Sequence, residues 1–168
     1  MLGQYFSIKL RMEDIKYVLF DFDDTLCIHE KRTIDERKYH KDIQIDTIQY
    51  YGMISKAMKS FIAKCFDDGK ELFLISSISF SETSKSKIEW VRQNYGVTLK
   101  NACVGSSDRK VTRLQAISDA YNIKPENILI VDDCFETLSQ CESAGFTACS
   151  PMEIIVFMEN ISQSMTHD

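Results

Sequence analysis

The stretch Tyr17-Val18-Leu19-Phe20-Asp21-Phe22-Asp23-Asp24-Thr25-Leu26 constrains the fold more than any other part of the chain. An apolar run leads directly into Asp21, Asp23 and Asp24. A short apolar run bounded by polar residues reads as a fully buried strand, and strands buried on both faces belong to parallel sheets. The interior of such a strand cannot hold these charges, so they stand at its open end. There they repel one another unless a cation or a proton relieves them. Asp21 and Asp23 are two positions apart, which puts both on one side of an extended segment. A hard divalent cation such as Mg²⁺ fits a cluster of this kind. It would still leave a carboxylate oxygen free to attack an electrophile.

The rest of the chain alternates strand and helix patterns. Strands are expected near 16–21, 71–75, 102–104, 128–131 and 146–149. Between them, helical spacing of apolar residues predicts helices over about 53–66, 82–95, 108–121 and 136–144. Asp108 reads as the N-cap of the third of these. Ser150-Pro151 read as cap and first turn of a last helix over about 151–163. Residues 27–52 show no clean period and read as a loop or small hairpin inserted above the strand end. The expectation is one domain over residues 1–168, an α/β fold: a three-layer α/β/α sandwich around a parallel Rossmann-like sheet, with minimal or no cap. Ligands of such sheets bind at the carboxyl ends of the strands. Three expected strands end in chemically useful groups there: Asp21 to Thr25, Ser76-Ser77 and Asp132-Asp133.

Asp21-Phe22-Asp23-Asp24-Thr25 after an apolar strand resembles the first motif, D-x-D-x-T, of the haloacid dehalogenase-like (HAD) phosphohydrolases. The later motifs follow in order. Ser76 at a strand end is similar to the second, Lys110 at a helix start to the third, and Asp132-Asp133 to the acid pair of the fourth. The resemblance implies that Asp21 is the nucleophile and forms an aspartyl-phosphate. It implies that Asp23 is the general acid and base, and that Ser76 and Lys110 hold the phosphoryl oxygens. It also implies a Mg²⁺ site made by Asp21, the backbone carbonyl of Asp23 and a fourth-motif aspartate. Asp133 aligns better as direct ligand, with Asp132 next to Lys110 or a bound water. The physics agrees with these roles: phosphoryl transfer needs positioning and compensation of oxyanion charge, which a metal ion and a lysine supply.

Between Asp21 and Ser76, one helix leaves about 25 residues for an insert. A full cap domain does not fit there, so the chain most resembles the cap-less branch, including small Mg²⁺-dependent phosphatases. A large phosphorylated substrate, or a neighbouring subunit of a homo-oligomer, would then have to cover the rim. Mg²⁺-dependent phosphomonoester hydrolysis is the leading function. A phosphotransferase or mutase, or a non-catalytic regulatory module on the same fold, are the alternatives. A dehalogenase is disfavoured because that branch lacks the second aspartate, here Asp23. A receiver domain of two-component signalling is disfavoured because its acid pair and phosphoacceptor lie on different strands.

Composition narrows the partners. Net charge is −5 and no Lys/Arg-rich run occurs, so a nucleic-acid groove is not signalled. No apolar run is long enough for a membrane span, and the N-terminus lacks a signal-peptide core. The chain has six cysteines and none in C-x-x-C spacing, which reads as a reduced, cytoplasmic protein rather than a zinc ribbon. His29 and His40 read as surface residues of the loop, and Trp90 as packing.

Overall fold

The computed structural model describes residues 12–28, 52–79 and 81–164. The elements in chain order are β1 (Tyr17–Phe20), α1 (Lys56–Asp67), β2 (Glu71–Leu74), α2 (Ser81–Tyr95) and β3 (Lys100–Asn101). They continue with α3 (Lys110–Tyr121), β4 (Ile128–Val131), α4 (Phe135–Ser143), β5 (Thr147–Cys149) and α5 (Pro151–Ser164). The strands form one parallel sheet in the order β3-β2-β1-β4-β5. The expected α/β fold with a parallel Rossmann-like sheet is present. The loop expected over 27–52, with His29 and His40, lies outside the described residues apart from its ends. At those ends Ile28 and Met53 pair antiparallel.

The period-2 alternation of the strands decides which helix packs where. Val18, Phe20, Leu72, Leu74, Leu129 and Val131 point to one face. They pack with Phe61 and Ile62 of α1, Val91 of α2 and Ile154 of α5. Tyr17, Leu19, Phe73, Ile128 and Ile130 point to the other, against Leu114 of α3 and Leu138 of α4. Apart from Glu71, the exposed first residue of β2, the three central strands are apolar throughout, as a doubly covered sheet requires. Removing one of the large fully buried rings, such as Phe61, would cost about 3–5 kcal/mol through lost transfer energy and a residual cavity.

Local chemistry shifts some of the expected boundaries. α1 starts at Lys56 rather than at residue 53, because Ser55 caps it and accepts from the Met58 N–H at 3.3 Å. Met53 instead pairs with Ile28. The third strand is Lys100–Asn101, not 102–104. Beyond it, Ala102 and Val104 still donate to the Leu74 and Ser76 carbonyls and Val104 bridges Ser77, while the Cys103 N–H, on the open edge of the sheet, donates to the Asn101 side chain. Asp108 is not the N-cap of α3. It lies inside a 3₁₀ turn, Ser107–Arg109, that leads into the helix. The Ser150 cap of α5 is present, closed reciprocally by Glu153, whose carboxylate accepts from the Ser150 N–H at 2.7 Å.

Between β2 and α3 the described residues form only α2, β3 and the 3₁₀ turn, so no domain is inserted there. All six cysteines are free, and five of them, Cys103 and Cys149 included, are buried. No described helix is long and apolar enough to cross a membrane.

Gly52 marks the point where the chain returns from the inserted segment. A Cβ there would collide with the buried Cys27 Sγ and crowd the Ile28 carbonyl. Gly52→Ala should destabilise the fold by about 1–3 kcal/mol, the usual cost of overpacking. Gly105→Ala, which meets open space, should stay within ~0.5 kcal/mol of wild type. Denaturant titration of both variants checks the contrast, and equal effects would contradict it.

Candidate active site

The parallel register makes the site. Phe20 pairs with Val131 on β4 and with Leu74 on β2. The next residues, Asp21 and Asp132, therefore stand side by side at the carboxyl ends of neighbouring strands. The Asp21 N–H donates to the Val131 carbonyl at 2.9 Å, which carries the pairing past the strand ends. By strand alternation both aspartates belong to the face covered by α3 and α4. Both are buried, Asp132 completely. Two adjacent buried carboxylates are costly unless a cation joins them.

Lys110, the first residue of α3, provides that cation. Its ammonium donates to Asp21 Oδ1 at 2.9 Å and to Asp132 Oδ2 at 2.6 Å. A lysine at a helix N-terminus opposes the helix dipole, so this placement is set by the two acids rather than by the helix. Burial acts to lower the Lys110 pKa, but Asp21 and Asp132 outweigh it and the group stays firmly protonated, with its pKa raised. Asp21 is raised to about 6, chiefly by burial and further by Asp132, against the lowering pull of Lys110. Asp132 also accepts the Cys134 N–H on Oδ1 at 2.9 Å, so both of its oxygens are held. Asp133 is exposed at the rim, and its pKa is raised by partial burial and by Asp132.

One carboxylate oxygen from each of Asp21, Asp132 and Asp133 lies within 4.8 Å of the others. Three acids against one buried ammonium leave an excess of negative charge, and the donors are all hard oxygens. That set fits Mg²⁺.

The opposite face of the sheet carries the second half of the site. Ser76 follows β2 on the α1/α2 side and is buried. Lys87 of α2 reaches it there: its ammonium donates to Ser76 Oγ at 2.8 Å and to Asp23 Oδ2 at 2.6 Å. The Asp23 side chain is 45% exposed and faces the rim. Lys87 is only 3% exposed and lies over the Phe22 ring at 4.8 Å. Trp90 packs edge-on against Phe22, as a packing residue should. Sequence reasoning missed Lys87, although a signal existed. Ser84, Lys87 and Val91 fall on one helical stripe, and a lysine on an inward stripe needs an acid partner.

A tight turn connects Asp21 to the inserted segment. The Phe22 carbonyl accepts from the N–H groups of Leu26 at 3.0 Å and Cys27 at 2.9 Å. Asp24 takes a left-handed conformation, φ 53°, which aspartate tolerates better than most residues. The turn lifts Asp23 off the Asp21 side of the sheet and toward Lys87. Of the residues expected at the site, Asp21, Asp132, Asp133 and Lys110 form one group. Asp23 and Ser76 form a second group around Lys87.

No family model and no curated protein matches the sequence. Solved structures do match in shape. The cobalt-bound deoxy-D-mannose-octulosonate 8-phosphate phosphatase of Haemophilus influenzae is similar, with TM-score 0.53, 13% identity, and 83% of this chain and 70% of that one covered. A HAD family enzyme of Bacteroides thetaiotaomicron, in complex with magnesium and inorganic phosphate, has TM-score 0.52 at 12% identity, covering 81% and 93%. The N-terminal part of a Bacteroides fragilis protein, which contains a phosphatase domain complexed with Mg, has TM-score 0.56 at 16% identity. This chain spans 39% of it, and 86% of this chain is covered. The chain has the fold of the HAD phosphohydrolases. Within this HAD-like fold, the acidic triangle stands at the carboxyl ends of β1 and β4, where open α/β sheets bind their ligands.

The raised pKa of Asp21 has a consequence for stability. A carboxyl group raised from 3.8 to about 6 in the folded protein contributes stability that is complete below the lower value and lost as pH rises through the higher. In metal-free buffer, Asp21→Asn should therefore melt above wild type once the pH exceeds about 6, with the gap closing toward 3.8. Mg²⁺ should raise the melting temperature of wild type more than that of the variant. Thermal melts across pH, with and without Mg²⁺, measure both. A pH-independent gap would contradict the assignment.

Proposed function

We propose that the protein is a phosphomonoester hydrolase that uses Mg²⁺ and works through an aspartyl-phosphate on Asp21. The observation that carries this reading is the triangle of Asp21, Asp132 and Asp133, built beside the buried Lys110. The shape it shares with a HAD enzyme seen with magnesium and phosphate supports it. In this reading residues 1–168 act as one catalytic domain, with residues 27–52 as a small insert above the site.

A carboxylate oxygen of Asp21 attacks phosphorus while the bond from phosphorus to the leaving oxygen breaks. Asp23 gives its proton to that oxygen. It then takes a proton from the water that attacks the phosphoryl group and frees Asp21. General acid–base help of this kind is worth roughly 10²–10⁴-fold. Lys110 and the Ser76 hydroxyl bind phosphoryl oxygens, and Asp132 holds Lys110 in place. Asp21, the backbone carbonyl of Asp23 and Asp133 would hold the Mg²⁺, with Asp132 behind them. Once bound, the ion would screen the anionic phosphate from the carboxylates and stabilise charge on the transferring group.

The test is hydrolysis of an activated aryl phosphate. Wild type should be active with Mg²⁺, silent in chelator and restored by Mg²⁺. Asp21→Asn should lose at least ~10³-fold in kcat/KM, as expected when a nucleophile is removed. Activity that survives in chelator or in the variant would overturn the reading.

A further inference from the structure

We propose that Lys87 is a positioning residue of this site, one ammonium that sets both the general acid–base Asp23 and the phosphoryl-binding hydroxyl of Ser76. The inference rests on the phosphohydrolase reading and adds a residue that the four motifs do not contain. Lys87 makes charge-assisted bonds to Asp23 Oδ2 at 2.6 Å and to Ser76 Oγ at 2.8 Å. Bonds to an ionised donor or acceptor are roughly twice as strong as neutral ones, so these should orient both partners.

The consequences differ for the two. An ammonium can only donate, so Ser76 Oγ must accept from it. The hydroxyl proton of Ser76 is thereby directed elsewhere, toward an acceptor such as a phosphoryl oxygen. Asp23 stands on a turn, and its side chain is half exposed. A carboxylate on such a segment samples several rotamers unless something holds it. Lys87 can hold it because Lys87 is itself clamped: it is buried on α2 and packed on the Phe22 ring, which Trp90 buttresses. The chain from Trp90 through Phe22 and Lys87 to Asp23 thus links the orientation of the acid to the rigid core.

The two lysines divide the site by layer. Lys110 comes from α3 on one face of the sheet and serves Asp21 and Asp132. Lys87 comes from α2 on the other face and serves Asp23 and Ser76. Loss of Lys87 should therefore spare the nucleophile and weaken the steps that depend on Asp23 and Ser76. The Asp23 branch has a signature that simple destabilisation lacks. Proton donation matters more for a poor leaving group than for a good one.

The experiment compares an alkyl phosphate with an activated aryl phosphate in wild type, Lys87→Met, Asp23→Asn and the double variant. Methionine keeps the length and apolar packing of the side chain and removes the charge. Lys87→Met should lower kcat/KM for the alkyl substrate by about 10- to 100-fold, and for the aryl substrate by several-fold less. In the Asp23→Asn background, Lys87→Met should no longer widen the gap between substrates. Circular dichroism should report a folded protein, and calorimetric titration with Mg²⁺ should give wild-type affinity. If Lys87→Met does not fold, Lys87→Gln, which keeps a hydrogen-bond donor without the charge, takes its place with the same expectations.

An unchanged ratio between the two substrates in a folded Lys87 variant would overturn the role of Lys87 while leaving the phosphohydrolase reading intact. A wild type that hydrolyses neither substrate with Mg²⁺ would overturn both. A widening that persists undiminished without the Asp23 carboxylate would show that Lys87 does not act through Asp23, and would also overturn the proposal.

Discussion

Two carboxylates side by side at the centre of the sheet are the constraint on which the site depends. β1 and β4 are neighbours in parallel register, and each ends in an aspartate at the same level. Asp21 and Asp132 must therefore share a small buried volume. Asp132 is fully buried, and Asp21 keeps only a small opening toward the rim. The like charges raise the pKa of Asp21, after burial itself, and draw Lys110 into the first turn of α3 against the helix dipole. A cluster so arranged is poorly stabilised by the protein alone and well suited to bind what is positively charged.

The placement of the remaining groups follows from the layers. A doubly covered sheet has two sets of helices, and each set sends one lysine to the rim. The strand ends divide their side chains between the same two faces, so the acid pair meets α3 and Ser76 meets α2. The turn from Phe22 to Cys27 then brings Asp23 over to the Ser76 side. Positions set by strand ends and buried helices are better defined than positions on long loops, and preorganised charge is what phosphoryl transfer requires of a protein. The same arrangement explains the strong apolar character of the central strands. A core buried on both faces offsets the unfavourable charge gathered at one end of it.

Much of this was legible in the amino-acid order. The strand from Ile128 to Val131 reads correctly to the residue, because an apolar run between Asn127 and Asp132 has sharp polar edges. β1 and β2 were legible for the same reason. The first residues of α1 and α3 were not, because Met53 pairs with Ile28 and Asp108 enters a 3₁₀ turn; both choices depend on distant segments or on competing local bonds. The third strand was displaced because a two-residue edge strand, exposed at both positions, carries no apolar signal of its own. The carboxylates, Ser76 and Lys110 were visible because their residue types stand at strand ends or helix starts. Lys87 stands in mid-helix among polar neighbours, marked only by its place on the stripe of Ser84 and Val91.

The order of residues by itself determined the kind of fold and the chemical character of the rim. Alternating apolar strands and amphipathic helices allow little besides a covered parallel sheet, and the carboxylates that follow β1 and β4 in the chain lie at the carboxyl edge of that sheet. Tertiary structure decided which groups meet. Strand order set Asp21 beside Asp132 rather than beside another strand end. The packing of α2 set Lys87 against Asp23 and Ser76, which are 64 and 11 positions away in the chain. The physical reason is the range of the forces. Hydrophobic periodicity is written locally, every two or every 3.6 residues. The partner of a buried charge is chosen by proximity in the folded protein, where burial makes every ionic contact costly to leave unmade.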